Sequence, residues 1–114
     1  MALEITEKSS HRVDVKLIHL SGDLDTCAIE DFADKIYPLV QRGNSVILDF
    51  EDLDYLNSTG CAMILHLTKS AEKLGKSVFL CNVNERIEEI FAVIDVRKYL
   101  SVYEDVKEAQ GVFE

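Results

Sequence analysis

The stretch that decides the fold is residues 54–65, DYLNSTGCAMIL. It follows the short apolar, β-branched run SVILDF at Ser45–Phe50, turns through the polar knot Asn57-Ser58-Thr59-Gly60, and passes at once into an apolar pattern of helical period. A run of that kind suits a central strand buried on both faces. A small polar knot just before helical periodicity marks a helix start, with Asn57 or Ser58 as the capping side chain. Strand, tight turn and helix in succession form one crossover unit, and the rest of the chain can be read outward from it.

At ~100° per residue, Met63, Leu74, Leu67, Ala71, Ile64, Thr68, Cys61 and Leu65 share one wide arc of that helix. His66, Lys69, Ser70, Glu72 and Lys73 fill the remainder. An arc that wide predicts packing on a sheet and against neighbouring helices, and Gly75 marks the stop. Downstream, SVFLCNV (Ser77–Val83) reads as a second buried strand. Asn84 then caps a helix with Ile87, Ile90, Phe91 and Ile94 inward. YLSVYED holds a short strand, and a brief last helix ends near Gln110.

Upstream, Leu3–Thr6 reads as a short edge strand, KSSH as a turn, and VDVKLIHL (Val13–Leu20) as a strand forming an antiparallel hairpin with the first. SGDLDT is expected to be a loop, with Asp25 or Thr26 capping a helix that runs to about Gln41 and buries Ile29, Phe32, Ala33, Ile36 and Val40. Pro38 is expected to kink or end its last turn, before the stop at Arg42-Gly43-Asn44. The fold class is α/β: a single domain over residues 1–114, a mixed sheet of four or five strands, and about four helices mostly on one face. Parallel neighbours in it require right-handed crossovers.

Composition sets limits on function. The 114 residues are 47% apolar, enough for a sizeable core. Twelve basic against twenty-one acidic residues give a charge of −9, which repels phosphate backbones and anionic lipid surfaces and steers a partner with a basic patch. Nucleic acid is therefore not an expected partner. The opening MALEITEKSS has no signal-peptide pattern, and no apolar run approaches the ~18 residues of a membrane span. A cytoplasmic setting without membrane insertion is expected. Cys27, Cys61 and Cys81 form neither a disulfide framework nor a metal motif and read as small buried hydrophobes.

Catalytic constellations are scarce. The glycines are scattered, so no phosphate loop exists. No glycine stands two residues before Ser58, so NSTG is not a nucleophile elbow. The three histidines are isolated. GDLD (Asp23, Asp25) and EDLD (Glu51, Asp52, Asp54) follow apolar strands, where sites gather in parallel sheets, but they read first as solvated loop acids. Asp25 and Ser58 lie near one another if their strands are parallel. No cofactor, no metal and no enzymatic activity are expected. The start of a helix does favour negative charge, so a phosphate on Ser58, worth about −1.5 to −2 charges, would sit where the fold tolerates it. Ala62 and Lys69 lie on the same exposed side as Ser58, and a small residue at 62 leaves room for a docking partner.

These residues also resemble a family. VILDFEDLDYLNSTGCAMIL is similar to the strand–loop–helix signature of STAS domains, especially bacterial anti-sigma-factor antagonists, in which an apolar strand leads through a D-S-x-G loop into the second helix. LSGDLDT resembles the family's earlier G-x-L-D turn, and GKSVFLCNVNERIEEIF its following strand and third helix. The likeness runs in register from about Val13 to Val106. It implies a non-enzymatic partner switch. The unmodified protein binds an anti-sigma factor that is also a serine kinase; phosphorylation of the motif serine, here Ser58, ends binding, and a serine phosphatase restores it. By position, Asp23 and Asp25 lie on the adjacent loop, Asn57, Thr59, Ala62 and Lys69 belong to the partner surface, and Gly60 lets the partner approach the helix start. Where the family usually has aspartate this chain has Asn57. The same resemblance admits relatives that are never phosphorylated: interaction subunits of lipid-transport ABC complexes and scaffolds of stress-signalling assemblies.

Overall fold

A computed structural model describes residues 1–113. Five strands form one sheet in the order β1-β2-β3-β4-β5: β1 Glu4–Lys8, β2 Val15–Leu24, β3 Ser45–Leu56, β4 Val78–Cys81 and β5 Ser101–Tyr103. β1 pairs antiparallel with β2, as the hairpin reading requires, and β2 to β5 are parallel. α1 (Ile29–Gln41), α2 (Ser58–Lys73) and α3 (Glu85–Ile94) connect the parallel strands, and α4 (Val106–Gly111) follows β5. When successive parallel strands step in one direction, crossovers of a single hand place every connecting helix on the same face. The core follows suit. Phe32, Ile36, Ile64, Leu67, Ile87 and Phe91 of α1–α3 pack with Ile18, Leu20, Val46, Leu48 and Leu80. α4 covers the opposite face, where Ala109 meets Val15, Leu17, Ile47, Phe79 and Cys81.

Several boundaries differ from the sequence reading, each for a tertiary reason. β2 begins at Val15, and Val13 is 80% exposed. It then runs through Ser21–Leu24, which alone read as loop. β3 likewise continues through Glu51-Asp52-Leu53-Asp54, so EDLD is strand and not loop. The two extensions hold each other. Gly22 pairs with Leu53, Asp23 with Tyr55 and Leu24 with Leu56, and two register shifts each give β3 one extra residue. Pro38 lies inside α1, which continues to Gln41; the last carbonyls are then satisfied by the Arg42, Gly43 and Asn44 N–H groups. Neither Asp25 nor Thr26 caps α1. The N-cap position is Ala28, without a side-chain bond, while Asp25 Oδ1 accepts the Cys27 N–H at 3.1 Å in a turn before the helix.

The wide arc of α2 is buried at Cys61, Ile64, Leu67, Thr68 and Ala71, but its last member, Leu74, is half exposed beside Gly75. Gly75 has φ +71°, the left-handed stop, and the Lys76 N–H reaches the Ala71 carbonyl at 2.9 Å. Cys61 and Cys81 are buried as expected; Cys27 is exposed on the β2–α1 connection. The histidines are not isolated in space. His19 Nε2 lies 2.7 Å from Asp52 Oδ2, and the Tyr37 hydroxyl 2.5 Å from His66 Nδ1.

Candidate functional site

Because β2 and β3 are parallel and end level with one another, the Asp25–Thr26 turn and the Asn57–Ser58 knot leave the sheet side by side. Asn57 joins them. Its backbone N–H donates to the Leu24 carbonyl at 3.4 Å and its Nδ2 to Thr26 Oγ1 at 3.1 Å. It is also the N-cap of α2: extended at φ −94°, ψ −178°, with Oδ1 accepting the Gly60 N–H at 2.9 Å. An aspartate here would cap equally well, but would keep the Thr26 contact only by accepting from its hydroxyl.

With Asn57 as the cap, Ser58 is the first residue of the helix proper. It is exposed, and its hydroxyl has no hydrogen-bond partner among the described residues. Thr59 is exposed beside it, and Ala62 and Lys69 continue an exposed stripe along α2. Lys69, eleven residues on, stands about 16 Å from Ser58 along the axis. Gly60 points the other way. It is buried, and a Cβ there would lie 2.4 Å from the Leu24 carbonyl oxygen. The close approach this glycine permits is between α2 and the end of β2, not between the helix start and a partner. Asp23, on β2 and not in a loop, is half-buried and pairs with the Met1 ammonium at 2.7 Å. The structure thus gathers Asp25, Asn57, Ser58 and Thr59 on one rim, and both aspartates already have partners inside the chain.

Electrostatics set this helix start apart. The first turns of α1, α3 and α4 carry acids (Glu30 and Asp31; Glu85 and Glu88; Glu108), whereas that of α2 has none. The positive end of the α2 dipole is unneutralised by its own residues. One turn in, Cys61 faces the core, and burial pushes its thiol up to about 11. That thiol is protonated at neutral pH and is no nucleophile.

Beside Ser58 lies a feature that the sequence did not announce. A groove of about 430 Å³ runs between the end of β3 and α3, lined by Tyr55, Arg86, Glu89, Ile90, Val93 and Ile94 together with Leu56, Asn57 and Ser58. Val93 is 86% exposed and Tyr55 46%. Ile90 and Ile94, expected inward, are half-buried on its wall. The available signal was Val93, a large apolar residue off the inward stripe of its helix. A second groove, about 640 Å³, is lined by the EDLD acids Glu51, Asp52 and Asp54 together with Glu85, Arg86 and Glu89. Among the described residues, no three His, Cys, Asp or Glu side chains converge as metal ligands, and no helix is long and apolar enough to cross a membrane.

Comparison with known proteins agrees with this architecture. The STAS domain family matches residues 5–109. The anti-sigma-B factor antagonist of Bacillus subtilis (strain 168) is 24% identical over 85 residues, covering 75% of this chain and 78% of that protein. The anti-sigma factor antagonist SpoIIAA in its unphosphorylated form has the same fold, with a TM-score of 0.78 at 20% identity over 96% of each chain. The Bacillus cell fate determinant SpoIIAA in the phosphorylated form matches with a TM-score of 0.72 at 20% identity, over 97% of this chain and 100% of that one.

Proposed function

This chain belongs to the STAS domain family, and from that membership we propose that it is an anti-sigma-factor antagonist switched by phosphorylation of Ser58. The unmodified rim around Asn57–Ser58 binds an anti-sigma factor, which is also the serine kinase. In the switching step the γ-phosphoryl group of ATP transfers to Ser58 Oγ, the hydroxyl proton passes to a base of the kinase, and ADP leaves. A serine phosphatase returns the hydroxyl by hydrolysis. The chain itself binds and does not catalyse, and it works in the cytoplasm, where sigma factors act.

One observation carries this reading: the Ser58 hydroxyl is exposed and unbonded at the first position of a helix whose cap is another residue. Modification of Ser58 costs no cap and disturbs no buried atom. The free positive end of α2 stabilises the added charge, while the surface offered to a partner changes sign locally. Similarity to a B. subtilis anti-sigma-B factor antagonist supports the choice of partner.

The test is incubation with ATP and an extract of the organism that makes the protein, followed by intact-mass measurement and peptide mapping. A single phosphate on Ser58, absent from Ser58→Ala, is expected. Ser58→Ala should still bind the anti-sigma factor, and Ser58→Asp should bind it poorly. Asn57, in place of the usual aspartate, favours a second reading: a STAS interaction subunit of a transport complex or signalling scaffold that is never phosphorylated. No phosphate in the extract, with stable co-purification with a membrane ATPase, would establish that reading instead.

A further inference from the structure

Arg86 is the cation of the groove beside Ser58. It is the second residue of α3, and it lines the same groove as Ser58, Tyr55 and Val93. Its Nη1 donates to Asp54 Oδ1 at 3.1 Å and lies 3.5 Å from the Asp54 carbonyl. The guanidinium side chain is 65% exposed, and its Nε and Nη2 groups have no partner among the described residues. An exposed ion pair of this kind is weak and easily exchanged. A guanidinium with unused donors is matched in shape to a phosphate, which accepts two parallel N–H bonds and carries more charge than a carboxylate.

We propose that Arg86 is the intramolecular receiver of the phosphate on Ser58: on phosphorylation its guanidinium leaves Asp54 and bonds the phosphate oxygens across the groove. This rests on the reading that Ser58 is phosphorylated and adds how the modification is felt. Charge alone alters the rim only at Ser58 itself. Drawing Arg86 over the groove also covers Tyr55 and Val93, so an apolar contact is withdrawn at the same moment. Glu89, in the same groove, opposes the phosphate with a single charge, against the phosphate's attraction to both Arg86 and the α2 terminus. Arg86 is a positioning residue for the modified state and has no part in the transfer itself.

The experiment uses full-length protein with phosphoserine inserted at position 58 during synthesis, so no kinase is involved. Phosphorus NMR titration gives the second pKa of the phosphate in the wild type, Arg86→Gln and Arg86→Lys. The expected wild-type value is lower than that of Arg86→Gln by roughly half a unit, because a nearby cation favours the dianion; Arg86→Lys falls between, with the charge but not the fork. The Arg86 Nε–H resonance, identified by its loss in Arg86→Gln, should move on phosphorylation. Equal pKa values in wild type and Arg86→Gln overturn the proposal. So does a pKa difference with an unmoved Nε–H signal, which is a field effect without contact. Failure of an extract to phosphorylate Ser58 would unseat the proposed function and leave this measurement unaffected.

Discussion

α2 and α3 begin in the same way and differ in everything around the start. Each follows a parallel strand, and each is capped by an asparagine in extended conformation whose Oδ1 accepts the N–H three residues on: Gly60 for Asn57, Ile87 for Asn84. The second half of each amide goes elsewhere. Asn84 Nδ2 donates to the Phe50 and Leu53 carbonyls of β3, at 3.3 and 2.9 Å, so this cap is bolted to the sheet. Asn57 Nδ2 donates to a neighbouring hydroxyl on the surface. The first turn of α3 holds Glu85 and Glu88, and that of α2 holds an exposed serine and no acid. One start is finished structurally and electrostatically by the chain itself. The other is finished structurally by Gly60 and Asn57, but its electrostatic slot is left open at Ser58.

The largest expected effect lies beneath the open start. Gly60→Ala puts a Cβ 2.4 Å from the Leu24 carbonyl; that oxygen is backbone and cannot swing away, so a loss of about 3 kcal/mol is expected, read by urea denaturation. A loss below about 1 kcal/mol would show that α2 lifts off β2 freely. Next come the two caps. Asn84→Ala removes a cap and a donor to two β3 carbonyls, an expected cost of about 2 kcal/mol, whereas Asn57→Ala should cost about 1 kcal/mol. Equal costs would erase the distinction between the two starts.

Charge exchange is a smaller and sharper test. Because Ser58 is not the cap, Ser58→Asp removes no hydrogen bond and adds a carboxylate to an unneutralised helix end; a gain of about 0.3–1 kcal/mol is expected. Glu85→Ser, the reverse change on α3, should lose a similar amount. Both are measured by thermal melts at low salt, and the gain should shrink as salt is raised. The remaining test concerns the inward side of the α2 start. Burial raises the Cys61 thiol from its ordinary value of 9.0 to about 11, so the stability it lends is complete below pH 9 and is lost as pH rises towards about 11. At pH 8 a thiol reagent should therefore modify exposed Cys27 at once and leave Cys61 and Cys81 intact until the protein unfolds.

Much of this was legible in the chain. The strand at Ser45, the helix after the knot, the Asn84 cap and the stop at Gly75 are written in spacings of two to four residues, the range over which a backbone satisfies its own hydrogen bonds. The misreadings have a common cause. SGDL and EDLD are polar and look like loops, yet they are strands because each supplies the other's hydrogen bonds across roughly thirty residues of sequence. Thr26 looked like a cap for its own helix and is instead the acceptor for Asn57 of the next. Arg86 stands among the acids of NERIEEIF in sequence, and only folding sets it in the groove with Ser58.

The sequence by itself determined the alternation of strands and helices, the acidic charge, and a hydroxyl at the mouth of the second helix. The tertiary structure decided which way each residue of that mouth faces: Ser58 into solvent, Gly60 onto the Leu24 carbonyl, Asn57 across to Thr26. The division is physical. Periodicity and capping are satisfied within a turn of chain, whereas the pairing of two strand extensions and the depth of a groove depend on contacts between residues that are distant in sequence and adjacent only once the sheet has closed around its core.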